Sequence, residues 1–300
     1  MSFFYSAYGM QISSEIFLPE LSVSNRTGDQ ADLDILYGSV TTDALENPKQ
    51  IGPFIWADTN DLLFEVPGVA RFLISSGKQI LIDPASGIDA ESVRVFLLGS
   101  AFGAALLQRR LLVLHGNGIE INGKCLICVG PSGIGKSTLT AAFLQGGNRI
   151  LADDVIPIEP SGMAIPGFPR IKLWQDVAEK MGIDTTQLSR IRPELQKFNL
   201  PLKENFCEIP TPVIRICVLS EHQSNSVEVT PITGIEKFRI LQANTYRSRF
   251  MAGMSLQNSH LSQCSTLAQN ISMIKVSRPM EGFQINLLAD AILNDIHEGQ

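Results

Sequence analysis

Residues 130–137 read Gly-Pro-Ser-Gly-Ile-Gly-Lys-Ser, which matches the phosphate-binding pattern G-x-x-x-x-G-K-[ST] at every fixed position. An apolar run at 124–129 precedes this loop and predicts a buried strand, and residues 137–144 predict a helix. In such a unit the glycines let successive N–H groups point at phosphate oxygens, and the helix N-terminus adds partial positive charge. Lys136 is expected to reach the β- and γ-phosphates, and the Ser137 hydroxyl to bind Mg²⁺. The stretch therefore predicts a nucleoside-triphosphate site, with a chance glycine-rich turn as the alternative.

Two adjacent carboxylates, Asp153 and Asp154, close the next predicted strand at residues 149–154, and Asp153 lies 16 residues after Ser137. Strand ends of a doubly wound sheet converge where ligands bind, so one helix and one strand would return the pair to the phosphates. One carboxylate can then hold Mg²⁺ while the other accepts the proton of an attacking hydroxyl. Because neighbouring strand residues point opposite ways, we expect the two aspartates to do different work. The alternative is a polar strand end that caps a turn.

His115 ends a predicted strand at residues 111–116. If that strand lies beside the strand before the phosphate loop, the imidazole can hydrogen-bond an aspartate and tune its pKa. A histidine with a purely structural role is the alternative. Five cations are candidates for stabilising the transferring phosphoryl group, with solvated surface charges as the alternative: Arg170, Lys172, Lys197, Arg247 and Arg249.

A flexible acceptor peptide is expected to be held between the phosphate site and the stretch 167–212, whose part after residue 191 is expected to be a loop. An ordinary surface connection with solvated charges is the alternative. An extended backbone around residue 171 would point Arg170 and Lys172 to the same face. The prolines that break the stretch are Pro169, Pro193, Pro201 and Pro210.

Composition fits a core-forming protein, with 44% hydrophobic and 18% charged residues in a chain of 300. The net charge of −6 argues against a protein that coats nucleic acid. The N-terminus lacks a signal-peptide pattern, and the apolar run 95–107 is too short to span a bilayer, so it predicts a buried helix. Five scattered cysteines favour a reducing compartment, and Cys125 and Cys128 are expected in the core. The chain is therefore expected in the cytoplasm, without a membrane partner.

Residues 1–88 predict a small β-rich, antiparallel N-terminal module, and residues 89–300 predict the P-loop domain. The module's strands are expected at 33–37, 54–57, 62–66, 71–74 and 79–82. In the second domain a helix is expected at 90–110, and Asn122-Gly123 predicts a hairpin. Later helices are expected at 175–181, 185–191, 235–246, 251–269 and 285–296.

His115-Gly116, the loop at 130–137 and Ala152-Asp153-Asp154-Val155 together resemble the core of the HPr kinase/phosphorylase group. That group shares its P-loop and Asp-Asp arrangement with the phosphoenolpyruvate carboxykinases. The resemblance implies that the loop binds ATP and Mg²⁺. It further implies that Asp153 is the general base toward a seryl hydroxyl, that Asp154 lies at the metal, and that His115 adjoins the base.

A second resemblance rests on residues 8–21 and on residues 167–174, Gly-Phe-Pro-Arg-Ile-Lys-Leu-Trp. Both segments look like the HPr kinase-related proteins of bacterial peptide-modification clusters. Some of those proteins phosphorylate a lasso-peptide precursor at its C-terminal residue, which implies a peptide acceptor here.

The sequence thus predicts an α/β protein with a P-loop kinase core of the HPr kinase/phosphoenolpyruvate carboxykinase type. Its function would be ATP-dependent transfer of the γ-phosphoryl group to a serine hydroxyl of a peptide or small protein. An HPr serine kinase/phosphorylase, a kinase for a small-molecule hydroxyl and a non-catalytic ATP-binding regulator stay open, as does homo-oligomerisation. Asp153, Lys136 and His115 are the predicted catalytic residues, and Ser137 and Asp154 the metal ligands. The predicted nucleotide-binding residues are Gly130, Ser132, Gly133, Ile134, Gly135, Lys136, Ser137 and Thr138.

Overall fold

A computed structural model describes residues 2–24, 31–192, 195–202, 204–280 and 285–298. Pro193, one of the prolines expected to break the stretch 167–212, lies outside the described residues.

The fold is mixed α/β, as the sequence predicts. The strands are β1 Phe3–Ala7, β2 Met10–Ser14, β3 Ser22–Val23, β4 Leu33–Tyr37, β5 Lys49–Gly52, β6 Ile55–Ala57, β7 Asp61–Val66, β8 Ala70–Ser75, β9 Gln79–Pro84, β10 Leu112–Ile121, β11 Lys124–Val129, β12 Arg149–Ile158, β13 Met163–Ala164, β14 Arg170–Trp174, β15 Lys197–Pro201, β16 Thr211–His222, β17 Glu228–Ile232 and β18 Ser272–Pro279. The helices are α1 Ala90–Phe96, α2 Phe102–Gln108, α3 Lys136–Gln145, α4 Gln175–Lys180, α5 Ile235–Ala243, α6 Phe250–Gly253, α7 Gln257–Asn270 and α8 Ile285–Glu298.

The N-terminal sheet has nine strands in the order β3-β1-β2-β4-β9-β8-β7-β6-β5. The expectation of an antiparallel module is wrong at one place, because β4 pairs in parallel with both β2 and β9. The chain leaves β2, passes residues 15–32 and returns to run β4 beside it in the same direction. A parallel neighbour needs such a long connection, whereas a hairpin turn would make the strands antiparallel. The division at residues 88 and 89 stays a prediction.

One helical stretch, Ala90–Gln108, covers this sheet and is long and apolar enough to cross a membrane by length and composition. Of its most apolar window, 72% is buried inside the protein, which is typical of a core helix. A π-helical turn, Leu97–Ala101, joins α1 to α2. Phe102 and Leu106 are fully buried in one hydrophobic cluster with residues of the sheet. The expected buried helix is therefore confirmed, and its apolar face completes the core of the N-terminal sheet.

The second sheet has seven strands in the order β11-β10-β12-β13-β16-β18-β17, and a further pairing joins β11 to β16. Five strands thereby close into a ring, β11-β10-β12-β13-β16. The predicted hairpin is confirmed, since Asn122 (φ 51°) and Gly123 (φ 76°) form the two-residue turn between β10 and β11. Cys125 and Cys128 lie on β11 with no exposed surface, as expected of core residues. The strand before the phosphate loop is therefore held in the middle of a buried sheet.

The expectation of a loop after residue 191 is wrong at residues 197–201, which form β15 and pair antiparallel with β14. Pro201 is the last residue of β15 and Pro169 precedes β14, and proline is tolerated at strand ends.

Two predicted helices differ from the structure. Residues 185–191 are not helical, because the Asp184 side chain accepts the Thr186 N–H at 2.9 Å and the backbone then runs beside β15, where Asn199 N donates to Ser189 O. Residues 251–269 form two helices, because Ser255 adopts a left-handed φ of 54° that interrupts the α-helix.

Candidate active site

The phosphate loop joins β11 to α3, and three of its glycines have positive φ angles of 145°, 84° and 104°. Residues that carry a side chain rarely adopt these backbone angles, so the conformation of the loop depends on Gly130, Gly133 and Gly135. Lys136 opens α3, and its ammonium donates to the carbonyls of Gly130 at 2.7 Å and Pro131 at 3.1 Å. The Lys136 ammonium is therefore held against the start of the loop by two backbone carbonyls.

A cavity of about 560 Å³ opens over this loop. Gly130 and Ile134 do not line it. A Cβ at Gly130 would approach the Leu219 carbonyl to 2.9 Å, and Ile134 is only 7% exposed because its side chain packs in the core. The other six predicted nucleotide-binding residues do line the cavity: Ser132, Gly133, Gly135, Lys136, Ser137 and Thr138.

Both Asp153 and Asp154 line the same cavity. The expectation that they end a strand is wrong, because β12 continues past them to Ile158. The expectation that they point opposite ways also fails, since Asp154 has a φ of 78°. A left-handed residue breaks the alternation of side chains along a strand. A local backbone irregularity therefore turns two neighbouring carboxylates to one site.

Asp153 is held by two hydrogen-bond donors. Asn117 Nδ2 donates to its Oδ1 at 2.5 Å, and the backbone N–H of Lys172 donates to its Oδ2 at 2.8 Å. Asn117 is buried on β10, directly opposite Asp153 in the strand pairing. Burial and the neighbouring Asp154 charge raise the pKa of Asp153. A fixed carboxylate with a raised pKa has the properties of a general base.

Asp154 has different partners. Lys172 Nζ donates to its Oδ2 at 2.8 Å, and His115 Nδ1 lies 3.1 Å from its Oδ1. Burial alone would raise the pKa of Asp154, but Lys172 and His115 together hold it well below the usual range. Two adjacent carboxylates thus have pKa values shifted in opposite directions, a pattern typical of divided acid–base roles.

His115 lies on β10, and its backbone N–H donates to Asn244 O at 2.7 Å. Strand β10 pairs with both β11 and β12, so the expected neighbourhood of His115 and the aspartate pair is present. The imidazole contacts Asp154, whereas the resemblance placed it beside Asp153. The difference follows from register, because His115 pairs with Val155 and Asn117 with Asp153.

Of the five candidate cations, two line the cavity and three do not, and Arg249 is exposed outside it. Lys172 and Lys197 line the cavity, and Lys197 lies 5.3 Å from the ring centre of Trp174. Arg170 does not line it, although it shares β14 with Lys172. Its Nη1 donates to Asn199 Oδ1 at 2.7 Å and lies 3.9 Å from Glu20 Oε1, so the side chain points to a second, neighbouring cavity. Arg247 is exposed and lies over the Tyr246 ring, outside the cavity.

Four polar or charged cavity residues were missed by sequence reasoning: Asn117, Asp176, Lys180 and Arg278. Arg278 Nε donates to Ile134 O at 3.2 Å, which ties the phosphate loop to β18. Asn117 follows His115 by two residues on one strand, a spacing that places both on one face and that could have indicated it. Arg278 is 142 residues beyond Lys136 in the chain, and no local signal connects them.

The residues present fit a Mg²⁺ ion. Asp154 supplies an ionised carboxylate, and the Ser137 hydroxyl lines the same cavity. Among the described residues, no group of three or more His, Cys, Asp or Glu side chains could hold a metal by itself. Mg²⁺ suits such a site, because it takes one or two carboxylates and completes its oxygen ligands with waters and substrate phosphates.

No family model matches the chain. It is similar to the HPr kinase/phosphorylase of Clostridium botulinum (strain Eklund 17B / Type B), with 32% identity over 95 residues, 31% of each chain. It is also similar to the HPr kinase/phosphorylase of Clostridium beijerinckii, with 30% identity over 31% of this chain and 32% of the relative. The matched part thus spans about a third of the length of these curated relatives.

Among solved structures, the Hpr(Ser) kinase/phosphatase from Coxiella burnetii is 14% identical, over 62% of this chain and 97% of that one, with a TM-score of 0.29. The curated relatives, taken with the phosphate loop and the aspartate pair described above, identify an HPr kinase-like P-loop core in this chain.

Proposed function

We propose that this protein is an ATP-dependent kinase that transfers the γ-phosphoryl group to a serine hydroxyl of a peptide or small protein. One observation carries the proposal. Asp153 and Asp154 share a cavity with the phosphate loop, and each has its own set of partners. One carboxylate is enough to hold the metal ion of a bound nucleotide. The second carboxylate, held separately, can accept the proton of an acceptor hydroxyl.

The charge of the cavity suits a triphosphate. Its described lining carries five cationic side chains and three carboxylates, an excess of two positive charges with histidine neutral. A cleft with such an excess attracts anions and raises their local concentration. The cations are Lys136, Lys172, Lys180, Lys197 and Arg278, and the carboxylates are Asp153, Asp154 and Asp176.

In the proposed reaction, the N–H groups of the phosphate loop and the Lys136 ammonium hold the β- and γ-phosphates. Asp153, fixed by Asn117 and the Lys172 backbone, accepts the proton of the seryl hydroxyl while the seryl oxygen forms a bond to the γ-phosphorus. The bond between that phosphorus and the β–γ bridging oxygen breaks, and ADP is the leaving group. Asp154 and Ser137 would hold Mg²⁺, which when bound neutralises charge on the phosphates. Lys172 and Lys197 would stabilise the negative charge of the transferring group.

One part of the cavity wall supports a peptide acceptor. It is built by β14, α4 and the start of β15, within the stretch 167–212 that the sequence assigned to the acceptor. Trp174 and Val177 give this wall an apolar part, and Lys172, Lys180 and Lys197 give it positive charge. Such a wall can contact both the apolar and the anionic groups of a peptide. A lasso-peptide precursor is the acceptor that we favour, and HPr, named in the curated relatives, is the second candidate.

A cytoplasmic location belongs to the same proposal. All five cysteines are buried and free, which suits a compartment that keeps thiols reduced.

The experiment supplies ATP labelled at the γ-position, together with an array of serine-containing peptides that includes lasso-precursor C-termini and with purified HPr. Label should appear on serine with the wild-type protein and be lost with Asp153→Asn. If no peptide, protein or small hydroxyl compound accepts label while ATP binds normally, the protein is a nucleotide-binding regulator and the kinase proposal fails.

A further inference from the structure

Lys172 contacts both members of the aspartate pair through different atoms. Its backbone N–H donates to Asp153 Oδ2, and its ammonium donates to Asp154 Oδ2, each at 2.8 Å. The other oxygen of Asp154 faces His115 Nδ1 at 3.1 Å. Both carboxylate oxygens of the expected metal ligand therefore already have a partner from the protein.

We propose that the Lys172 ammonium takes the place of the metal ion at Asp154 and leaves it when the metal–nucleotide complex binds. The inference rests on the proposed metal role of Asp154 and concerns how the protein controls that site. In the protein without nucleotide, the Lys172–Asp154 ion pair keeps the carboxylate neutralised. In the nucleotide complex, the ammonium contacts the transferring phosphoryl group.

The geometry lets the ammonium move without the strand. The Lys172 backbone is fixed by Asp153 and by pairing of β14 with β15, where Lys172 lies opposite Asn199. Its side chain lines the cavity and keeps 17% of its surface exposed. A lysine ammonium is a compact charge on four flexible carbons, so it can turn from Asp154 toward the phosphates while the backbone stays in place.

Electrostatics give the exchange its direction. A metal ion and an ammonium that both contact Asp154 Oδ2 repel each other, so each weakens the binding of the other. A metal ion that arrives alone must break the ion pair and leave the ammonium without an anion. A metal ion that arrives with a triphosphate brings oxygen atoms that accept the displaced ammonium. The Lys172–Asp154 ion pair therefore favours binding of the metal–nucleotide complex over binding of the metal ion alone.

The test measures binding of Mn²⁺, an oxygen-seeking substitute for Mg²⁺, by electron paramagnetic resonance without nucleotide. Lys172→Met keeps the length of the side chain and removes its charge. Because a charged hydrogen bond is lost, we expect Mn²⁺ to bind about 10- to 100-fold more tightly. Lys197→Met is the matched control. Lys197 lines the same cavity, but its ammonium lies over the ring of Trp174, whereas that of Lys172 contacts Asp154.

The outcomes separate this inference from the proposed function. Tighter Mn²⁺ binding in Lys172→Met, with a smaller change in Lys197→Met, supports direct competition at Asp154. Equal changes in both variants would show a general charge effect and overturn the inference, as would no change in either. Asp154→Asn should abolish the binding. If Asp154→Asn binds Mn²⁺ like the wild type, the metal role of Asp154 in the proposed function fails as well.

Discussion

Asp153 and Asp154 are neighbours on β12, yet both carboxylates face one cavity, because Asp154 has a φ of 78°. Aspartate tolerates the left-handed region better than most residues, so the turn has a modest cost. The two side chains then meet different partners. Asp153 is bonded by Asn117 and the Lys172 backbone, and Asp154 by the side chains of Lys172 and His115. Their roles are divided by these contacts and not by opposite orientation.

The first prediction is that the two aspartates fail differently. Asp153→Asn should bind ATP nearly as the wild type does and lose about 10²–10⁴-fold in transfer rate, because no carboxylate accepts the seryl proton. Asp154→Asn should mainly raise the Mg²⁺ concentration needed for half-maximal rate. Calorimetric titration of ATP and label transfer at varied Mg²⁺ measure both effects. Normal transfer by Asp153→Asn would show that the base is another group.

The second prediction separates Arg170 from Lys172. Lys172→Met should lower transfer and cost less stability than Arg170→Met, because the Asp154 carboxylate that loses the ammonium keeps 30% of its side-chain surface exposed to water. Arg170→Met should do the reverse and lower the free energy of unfolding by about 1–3 kcal/mol, because Asn199 and Glu20 lose a buried partner. Urea unfolding and peptide phosphorylation of each variant test this. A loss of transfer in Arg170→Met without loss of stability would place Arg170 in the reaction.

Local signals predicted the parts of the site that depend on local geometry. The phosphate loop and the Asn122-Gly123 turn form where the sequence indicated, because each is specified by a few adjacent residues. The partners across strands were harder. Asn117 reaches Asp153 only because β10 runs between β11 and β12, and no single segment encodes that order.

Two further features depended on distant contacts. The parallel position of β4 between β2 and β9 was missed because it depends on pairing across long connections. The direction of Arg170 was missed because Glu20, 150 residues earlier in the chain, draws the guanidinium away from Lys172. The sequence places Arg170 and Lys172 close together in the chain. The charge of a residue far away in the chain, Glu20, decides which cavity the Arg170 side chain enters.

The third prediction concerns pH and His260, which is buried with its Nε2 at 2.8 Å from Thr245 Oγ1 and 3.4 Å from Cys264 Sγ. Burial lowers the pKa of His260 from its ordinary value of 6.5. Below about pH 6.5 the imidazole is protonated in the unfolded chain but stays neutral in the folded protein. The free energy of unfolding therefore falls as the pH drops, by at most about 1.4 kcal/mol per pH unit. No further loss from this group follows once the pH is below the lowered pKa of the folded state.

Urea unfolding of the wild type and His260→Gln at about pH 7.5 and about pH 5.5 isolates this contribution. The difference in stability between the two pH values should be smaller in the variant. An identical pH dependence of both proteins would mean that His260 does not resist protonation in the fold.

The central claim is that the loop at 130–137 holds the phosphates of ATP through Lys136. The most direct measurement is calorimetric titration of Mg²⁺ and a non-hydrolysable ATP analogue into Lys136→Ala. Lys124→Ala is the matched control, because Lys124 is exposed at the start of the same β11 strand. We expect Lys136→Ala to melt like the wild type and to bind about 10- to 100-fold more weakly, while Lys124→Ala binds normally. Wild-type affinity in a folded Lys136→Ala protein would contradict the account.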